Sequence, residues 1–367
     1  MRTLAHIEKI VNIQPIPKAD NIEVATVLGW NCVIAKKDQF KVNDLVIYIE
    51  IDSITPDKPE FEFLRQRKFR IRTIKLKSQI SQGLILPISY LPNNIKVKEG
   101  LDVTEVLGIT KYDPELQIEN SQTNNKKDSK LVKLLKRNKF IREIFFSKIK
   151  TSWPEFFSKT DEERIQNIPW VLEKYKDEYF YVSEKLDGQS ATFFVNDYPY
   201  FKYFKKKIFG VCSRNIWLKT PNNCNYWNIA NEYDIEKKLR KLNRNIMIQG
   251  EIIGPTIQKN KYKLKNLDFY VFNVYDIDEK RYYGIDELKV FCTVLKLKYV
   301  PVLTYNFKLP DSIDKLVQYS KGNSTVLPTQ KREGIVIRPL LKNIYVDRFG
   351  RLSFKVINPE FLLEEKD

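Results

Sequence analysis

The feature that most constrains this chain is a lysine at the junction of a strand and a turn. Tyr179-Phe180-Tyr181-Val182 is an apolar-aromatic run of strand character that leads directly into Ser183-Glu184-Lys185-Leu186-Asp187-Gly188. Asp-Gly is a turn signal. Lys185 therefore stands at a strand end and is presented by a turn, where a stiff element holds a side chain and space opens around it. A surface lysine ahead of a hairpin satisfies the same six residues, so the rest of the chain must decide.

Composition narrows the choice. The 367 residues suffice for two or three domains, and 43% hydrophobic with 30% charged residues indicates a soluble globular protein. No apolar run approaches the ~18 residues of a membrane span, and residues 1–12 contain no apolar stretch of signal type. A net charge of +17 points to a polyanionic partner, nucleic acid ahead of an anionic membrane surface. Cys32, Cys212, Cys224 and Cys292 are widely spaced without a C-x-x-C pair, which argues against structural zinc and for a reducing, intracellular compartment. The single histidine is His6. A Ser-His-Asp or Cys-His site would have to use it, so the chemistry is expected to run on Lys, Asp, Glu, Arg and an oxygen-ligated metal.

Residues 1–105 contain short β-branched or alternating segments at Ile22–Val27, Asn31–Ala35, Leu45–Ile51, Phe69–Leu76 and Gly83–Leu86, separated by turn residues. This spacing predicts a small β-barrel of OB type. Arg65 to Lys77 holds seven basic residues and no acidic one. Alternation with Phe69 and Ile71 would put Lys68, Arg70 and Arg72 on one strand face, a phosphate-backbone track or equally an edge strand protected by charge. Residues 118–130 read as a polar linker. Lys130 to Lys150 reads as an amphipathic helix, with ten basic and two acidic residues between Lys126 and Lys150. Its basic face suits nucleic acid or simply solvent. From 151 to 367 strands and helices mix. Asp161–Tyr175 should be partly helical, Ile285–Leu297 and Ser312–Ser320 helical. Strands are expected at Phe193–Val195, Gly210–Ser213, Ile246–Glu251, Phe269–Tyr275, Gly334–Arg338 and Leu352–Ile357. The domains are thus 1–105, a linker and basic helix over 106–150, and an α+β domain over 151–367.

Five stretches follow the lysine turn: Val211-Cys212-Ser213-Arg214-Asn215, Ile248 to Pro255 around Glu251, Tyr270-Val271-Phe272-Asn273-Val274, Glu333 to Arg338, and Ser353 to Asn358 around Lys355. Glu251 and Glu333 each border a β-branched run beside a glycine, so both carboxylates could enter one cavity and cradle Mg²⁺. Arg214 and Lys355 could hold phosphate oxygens, and Phe272 could stack on a base. Plainer readings exist: strand-end acids, surface ion pairs and a core aromatic.

Together these stretches resemble the covalent nucleotidyltransferases, and among them the ATP-dependent RNA ligases. The family's K-x-D-G stands here as Lys185-Leu186-Asp187-Gly188, and the other stretches follow in the family's order. Val46 to Asp52 and Phe69 to Leu76 look like the N-terminal OB module of the Naegleria-type RNA ligases, and Phe157 to Asn167 resembles what precedes their lysine. The resemblance implies an N-terminal OB barrel followed by a nucleotidyltransferase domain of antiparallel sheets with flanking helices. It implies that Lys185 attacks ATP to give lysyl-AMP. Asp187, Glu251 and Glu333 would bind Mg²⁺ or Mn²⁺, and Glu184 would read adenine. Arg164, Arg214 and Lys355 would contact ribose or phosphate. The implied partner is RNA, preferentially a nicked duplex, sealed by a monomer without membrane association. The amine must be neutral to attack, and at pKa about 10.4 roughly one lysine in 2,500 is neutral at pH 7; the metal and basic neighbours are expected to lower that value.

One departure stands out. Several relatives carry Lys-x-Lys in the last stretch, whereas this chain has Ser353 before Lys355. A second phosphate cation, if one is needed, falls to Arg351 or another residue. The sequence runs twelve residues past Lys355, so a C-terminal OB domain like that of DNA ligases and capping enzymes is not expected, which favours RNA ligase. The rivals are a capping-type enzyme using GTP and a non-catalytic RNA-binding protein on the same scaffold.

Overall fold

Ala5–Pro15 (β1) is the longest strand of the N-terminal unit and the centre of its main sheet. Nothing in the hydropathy pattern announces it, because two of its buried positions are His6 and Glu8. The computed structural model describes residues 3–77, 79–112, 150–151, 153–159, 162–201, 204–218, 224–347 and 350–364. The expected linker over 118–130 lies outside these residues, as does the basic helix over Lys130–Lys150 apart from Lys150 itself. The described residues form two compact units. One gathers 3–112 with Ile165–Trp170 and 362–364; the other gathers 150–164 and 171–361.

In the N-terminal unit, β2 (Ile22–Val27), β3 (Trp30–Ala35), β4 (Leu45–Ile49), β5 (Thr73–Leu76), β6 (Gln79–Gln82) and β7 (Leu84–Leu86) follow β1. The sheet runs β3-β2-β1-β4-β7. β6 turns back to β3, where Ser81 Oγ accepts from Val33 N at 2.9 Å and Cys32 Sγ donates to the Gln82 carbonyl at 3.1 Å. The curled sheet thus nearly closes on a core that includes Ile7, Ile10, Trp30, Ile47 and Ile49. The bend between β6 and β7 requires Gly83: its φ is +109°, and a β-carbon there would lie 2.4 Å from the Tyr48 ring.

The strand expected over Phe69–Leu76 is corrected by the structure. Pro59–Arg67 is a 3₁₀ helix, Lys68 and Phe69 have left-handed φ values of 50° and 59°, and the strand begins at Thr73. The chain must turn sharply out of the 3₁₀ helix before it can extend, so Lys68, Arg70 and Arg72 do not line one strand face. Arg70 pairs with Asp52 at 2.9 Å and lies 3.6 Å from the Tyr112 ring centroid.

The second unit has two sheets. In the larger, β9 (Gln189–Phe201), β10 (Phe204–Cys212), β11 (Ile246–Ile253) and β12 (Asp268–Asp276) lie antiparallel in the order β10-β9-β11-β12. Helices α1 (Asn225–Glu232), α2 (Ile235–Lys241) and α3 (Ile285–Leu295) contribute Trp227, Leu239 and Phe291 to a core shared with Phe193, Ile248 and Val271 of the sheet. α3 stops short of Leu297 because Lys296 turns left-handed, φ 51°. The smaller sheet is built on β8 (Phe180–Lys185), flanked by β13 (Val302–Phe307) and β14 (Gly334–Pro339); β15 (Phe354–Ile357) lies beyond β14, and the two-residue strand Glu163–Arg164 runs parallel to β15. α4 (Ile313–Ser320) is capped by Ser312, whose side chain accepts from Lys315 N.

Candidate active site

Register decides which side chains share a face of the smaller sheet. Lys185 pairs with Gly334, Ser183 with Val336 and Tyr181 with Arg338 across β8 and β14. Val336 in turn pairs with Lys355, and Lys355 with Arg164. Alternate residues of a strand point the same way. Lys185, Lys355, Arg164 and Arg338 therefore stand on one face, drawn from four segments separated by up to 191 positions in sequence. A β-carbon at Gly334 would meet the Val356 carbonyl oxygen at 2.3 Å, so the strand opposite Lys185 is free of any side chain that could cover it.

The lysine turn closes against β11. A β-carbon at Gly188 would lie 2.3 Å from the Ile252 carbonyl oxygen and 2.9 Å from Glu251 Cγ. Only glycine lets the turn approach this closely, and that approach brings Asp187 into the neighbourhood of Glu251. Tyr262, in the loop after β11, accepts the Asp187 backbone N–H at 2.8 Å. Lys261 beside it donates to Asp187 Oδ2 at 2.8 Å, and Lys185 Nζ donates to Glu333 Oε2 at 2.6 Å.

Three carboxylates thus cluster around one lysine, and their electrostatics show it. Glu251 is pushed up to about 8 by burial first, then by Glu333 and Asp187, with Lys185 and Arg214 opposing. Asp187 is pushed up to about 6 by burial and by Glu333, against Lys261 and Lys185. For Lys185, burial pulls downward, but Glu333, Glu251 and Asp187 outweigh it and hold the ammonium above its ordinary value. This corrects the expectation that basic neighbours lower it: the groups in contact with Lys185 are acidic. Among the described residues no three ligands stand preassembled as a metal site. The donor set of Asp187, Glu251 and Glu333 nevertheless consists of hard oxygens whose mutual repulsion calls for cationic charge, a chemistry that suits Mg²⁺ or Mn²⁺.

Beside the turn lies an apolar wall. Leu186, Ile253, Tyr262 and Val300 are buried together, with Tyr270, Phe272, Val326 and Leu327 packed against them. Tyr270 and Phe272 are the half-buried alternate residues of β12. Glu184 occupies the face of β8 opposite Lys185. Its Oε2 accepts from Thr325 N at 2.8 Å, while its buried Oε1 has no hydrogen-bond partner among the described residues. Its charge reaches Tyr262 and Tyr270 of the wall.

The other expected residues fall as follows. Arg214 is half-buried and acts on Glu251, and Lys355 and Arg164 are buried. Arg351 is held by partners of its own: its Nη2 donates to Asn273 Oδ1 at 2.5 Å and its guanidinium lies 3.9 Å from the Tyr282 ring centroid. His6 stands in the N-terminal unit between Glu8 and Glu50 and has no place in this constellation. Sequence reasoning missed Lys261, Tyr262, Thr325 and Arg338. A lysine paired with an aspartate 74 positions away leaves no local signal.

An OB-fold domain model matches residues 4–88, and an RNA ligase model matches residues 178–357. A comparison with curated proteins gave no match. Among solved structures, a mutant of Naegleria gruberi RNA ligase with ATP and Mn is 33% identical, with 100% of both chains covered and a TM-score of 0.80. The same ligase with PPi is 34% identical over 99% of this chain and 98% of that one, TM-score 0.79. A mutant with AMP and Mn is 33% identical over 98% of each chain, TM-score 0.77.

Proposed function

Because the chain belongs to the RNA ligase family, we propose that it joins a 3′-OH to a 5′-phosphate in RNA through a covalent lysyl-AMP intermediate on Lys185. The observation that carries this reading is the Lys185 ammonium at the end of β8, ringed by Glu333, Asp187 and Glu251 and flanked by an apolar wall. Lys185 Nζ would attack the α-phosphorus of ATP. The N–P bond forms, the P–O bond to pyrophosphate breaks, and the ammonium must first lose a proton. Glu333 Oε2, 2.6 Å away, is the nearest acceptor for it. AMP then passes to the RNA 5′-phosphate, and the 3′-OH displaces it.

Asp187, Glu251 and Glu333 would hold the divalent cation, directly or through water. Bound there, it would offset charge on the α-phosphate and on the leaving pyrophosphate. Phe272 and the apolar wall would take the adenine. The unpartnered Glu184 Oε1 is an acceptor suited to the exocyclic amine that adenine has and guanine lacks at that edge. This favours ATP over GTP. Arg164 and Lys355 would meet the phosphates, and Arg214 the ribose or the RNA phosphate.

The preferred substrate is a nicked duplex with RNA on the 3′-OH side, bound by a monomer. In the N-terminal unit the exposed Lys68, Lys75 and Lys77 would follow its backbone, with Arg70 and Arg72 beside them. Affinity should then fall steeply with salt. The four cysteines are unpaired, which supports a reducing compartment.

Intact-mass analysis after incubation with ATP and Mg²⁺, with peptide mapping, tests the reading. The expected result is one AMP on Lys185, absent with GTP or with a chelator. Protein stripped with pyrophosphate that still acquires no AMP would leave an RNA-binding scaffold as the remaining explanation.

A further inference from the structure

Arg338 is 4% exposed, and its guanidinium is tied on all sides. Nε donates to Ser353 Oγ at 2.8 Å, Nη1 to the Phe272 carbonyl at 3.0 Å and to the Tyr181 hydroxyl at 3.4 Å, and Nη2 to Glu162 Oε1 at 2.8 Å. Each contact leads to a different part of the nucleotide site. Ser353 is two residues before Lys355, Glu162 is two residues before Arg164, and the Phe272 carbonyl belongs to the residue assigned to the base. One planar, rigid fork thus spans the two sheets of the unit and touches the three segments that carry Phe272, Lys355 and Arg164. A lysine could not do this: its ammonium is a point donor without the fork's fixed angles.

Glu162 is the carboxylate that both Arg338 and Arg351 act upon. Ser353 contributes an uncharged acceptor to Arg338 Nε and a hydrogen bond to Glu162, a carboxylate already shared by two arginines for which a further cation would compete. An ammonium offers three donors and no acceptor, so a lysine at 353 would both withdraw the acceptor from Arg338 Nε and set like charge against it.

We propose that Arg338 is the positioning residue of the nucleotide site, holding Phe272, Lys355 and Arg164 at their mutual spacing, and that Ser353 is the acceptor this arrangement requires. The departure from Lys-x-Lys is then an adaptation rather than a missing cation, and installing the lysine harms this chain. The inference rests on the lysyl-AMP reading above.

The test measures AMP incorporation into the full chain against ATP concentration, beside thermal melting, for Ser353→Lys, Arg338→Met, the double variant, Ser353→Ala and Ser353→Thr. Arg338→Met is expected to raise half-saturating ATP about tenfold or more, with a smaller fall in the maximal rate. Ser353→Lys should show the same pattern. The double variant should be no worse than Arg338→Met alone, because both act through one contact. Ser353→Thr, which keeps an acceptor, should lose far less than Ser353→Ala. Should Ser353→Lys fail to fold, the Ala and Thr pair decides. Ser353→Lys labelled as well as the wild type, penalties that add in the double variant, or Ala and Thr behaving alike would overturn the proposal. A wild type that forms no AMP adduct defeats the underlying reading and this inference with it; a labelled wild type with unaffected variants defeats the inference alone.

Discussion

In the N-terminal unit, His6 lies between Glu8, 2.7 Å from Nδ1, and Glu50, 3.8 Å from Nε2. Asn167 Nδ2 donates to Glu50 Oε1 at 2.7 Å, and Trp30 Nε1 donates to Asn167 Oδ1 at 2.6 Å. In the second unit, Lys185 and Lys261 each hold one carboxylate, and Glu251 is left with a pKa near 8. Both clusters are buried and charged, but their balance differs. The first gathers a cation, two acids and amide donors that complete one another. The second crowds acids that repel, and its lysines neutralise only part of that charge. A satisfied cluster stabilises its fold; a repelling one is held in place by the fold around it and is available to bind what would relieve it.

The contrast can be broken most sharply at Lys185. Lys185→Ala should abolish AMP incorporation while leaving RNA binding measurable by filter retention; persistent labelling would mean the nucleophile lies elsewhere. Glu251→Gln comes next. It should cut the labelling rate on the order of 100-fold, yet raise the melting temperature in chelator, since a repelling buried acid has been removed. A lower melting temperature would show that the cluster is not strained.

His6 carries the next largest effect. Burial would lower its pKa, but the carboxylates of Glu50 and of Glu8, the latter hydrogen-bonded to Nδ1, raise it to about 9. A histidine whose folded value lies above its unfolded one contributes stability that is complete below about pH 6.5 and is lost as pH rises through 9. His6→Gln should therefore melt below the wild type at pH 6, by roughly 3 kcal/mol at most, and the two curves should converge above pH 9. A gap independent of pH would remove the imidazolium from the account. The smallest effect is expected for Trp30→Phe, which removes the Nε1 donor to Asn167 Oδ1 and should cost about 1 kcal/mol by chemical denaturation, with AMP labelling otherwise retained.

Much of the catalytic unit was legible because its chemistry is written in contiguous residues. The lysine turn and the Glu251 and Glu333 strands each carry their own apolar run and glycine, the Lys355 strand its apolar run alone, and Gly188 and Gly334 prove to be points of backbone approach. What failed to read was local pattern overridden by long-range pairing. β1 was invisible because His6 and Glu8 look solvent-facing until their partners are known. Phe69–Leu76 looked like a strand because charge alternates there, whereas the left-handed pair Lys68 and Phe69 breaks it. The Lys185 environment was misjudged in sign for the same reason: Glu333 lies 148 positions away, and sequence proximity offers no measure of which charges surround a site.

The short segment Ile165–Trp170 has a consequence for how the molecule is made. The chain leaves the catalytic unit at Arg164, makes one stitch in the N-terminal unit, and returns at Val171. Trp30 and Glu50 must therefore wait for a residue 137 and 117 positions later before their hydrogen bonds can close. On the ribosome the first unit emerges early but is finished late: the stitch arrives only as the catalytic unit begins to be synthesised, and 362–364, which also belong to the first unit, arrive after it. Cutting the gene ahead of Ile165 would deliver a barrel without the Asn167 side chain that Trp30 and Glu50 bond, whereas a fragment that keeps the six-residue stitch retains it.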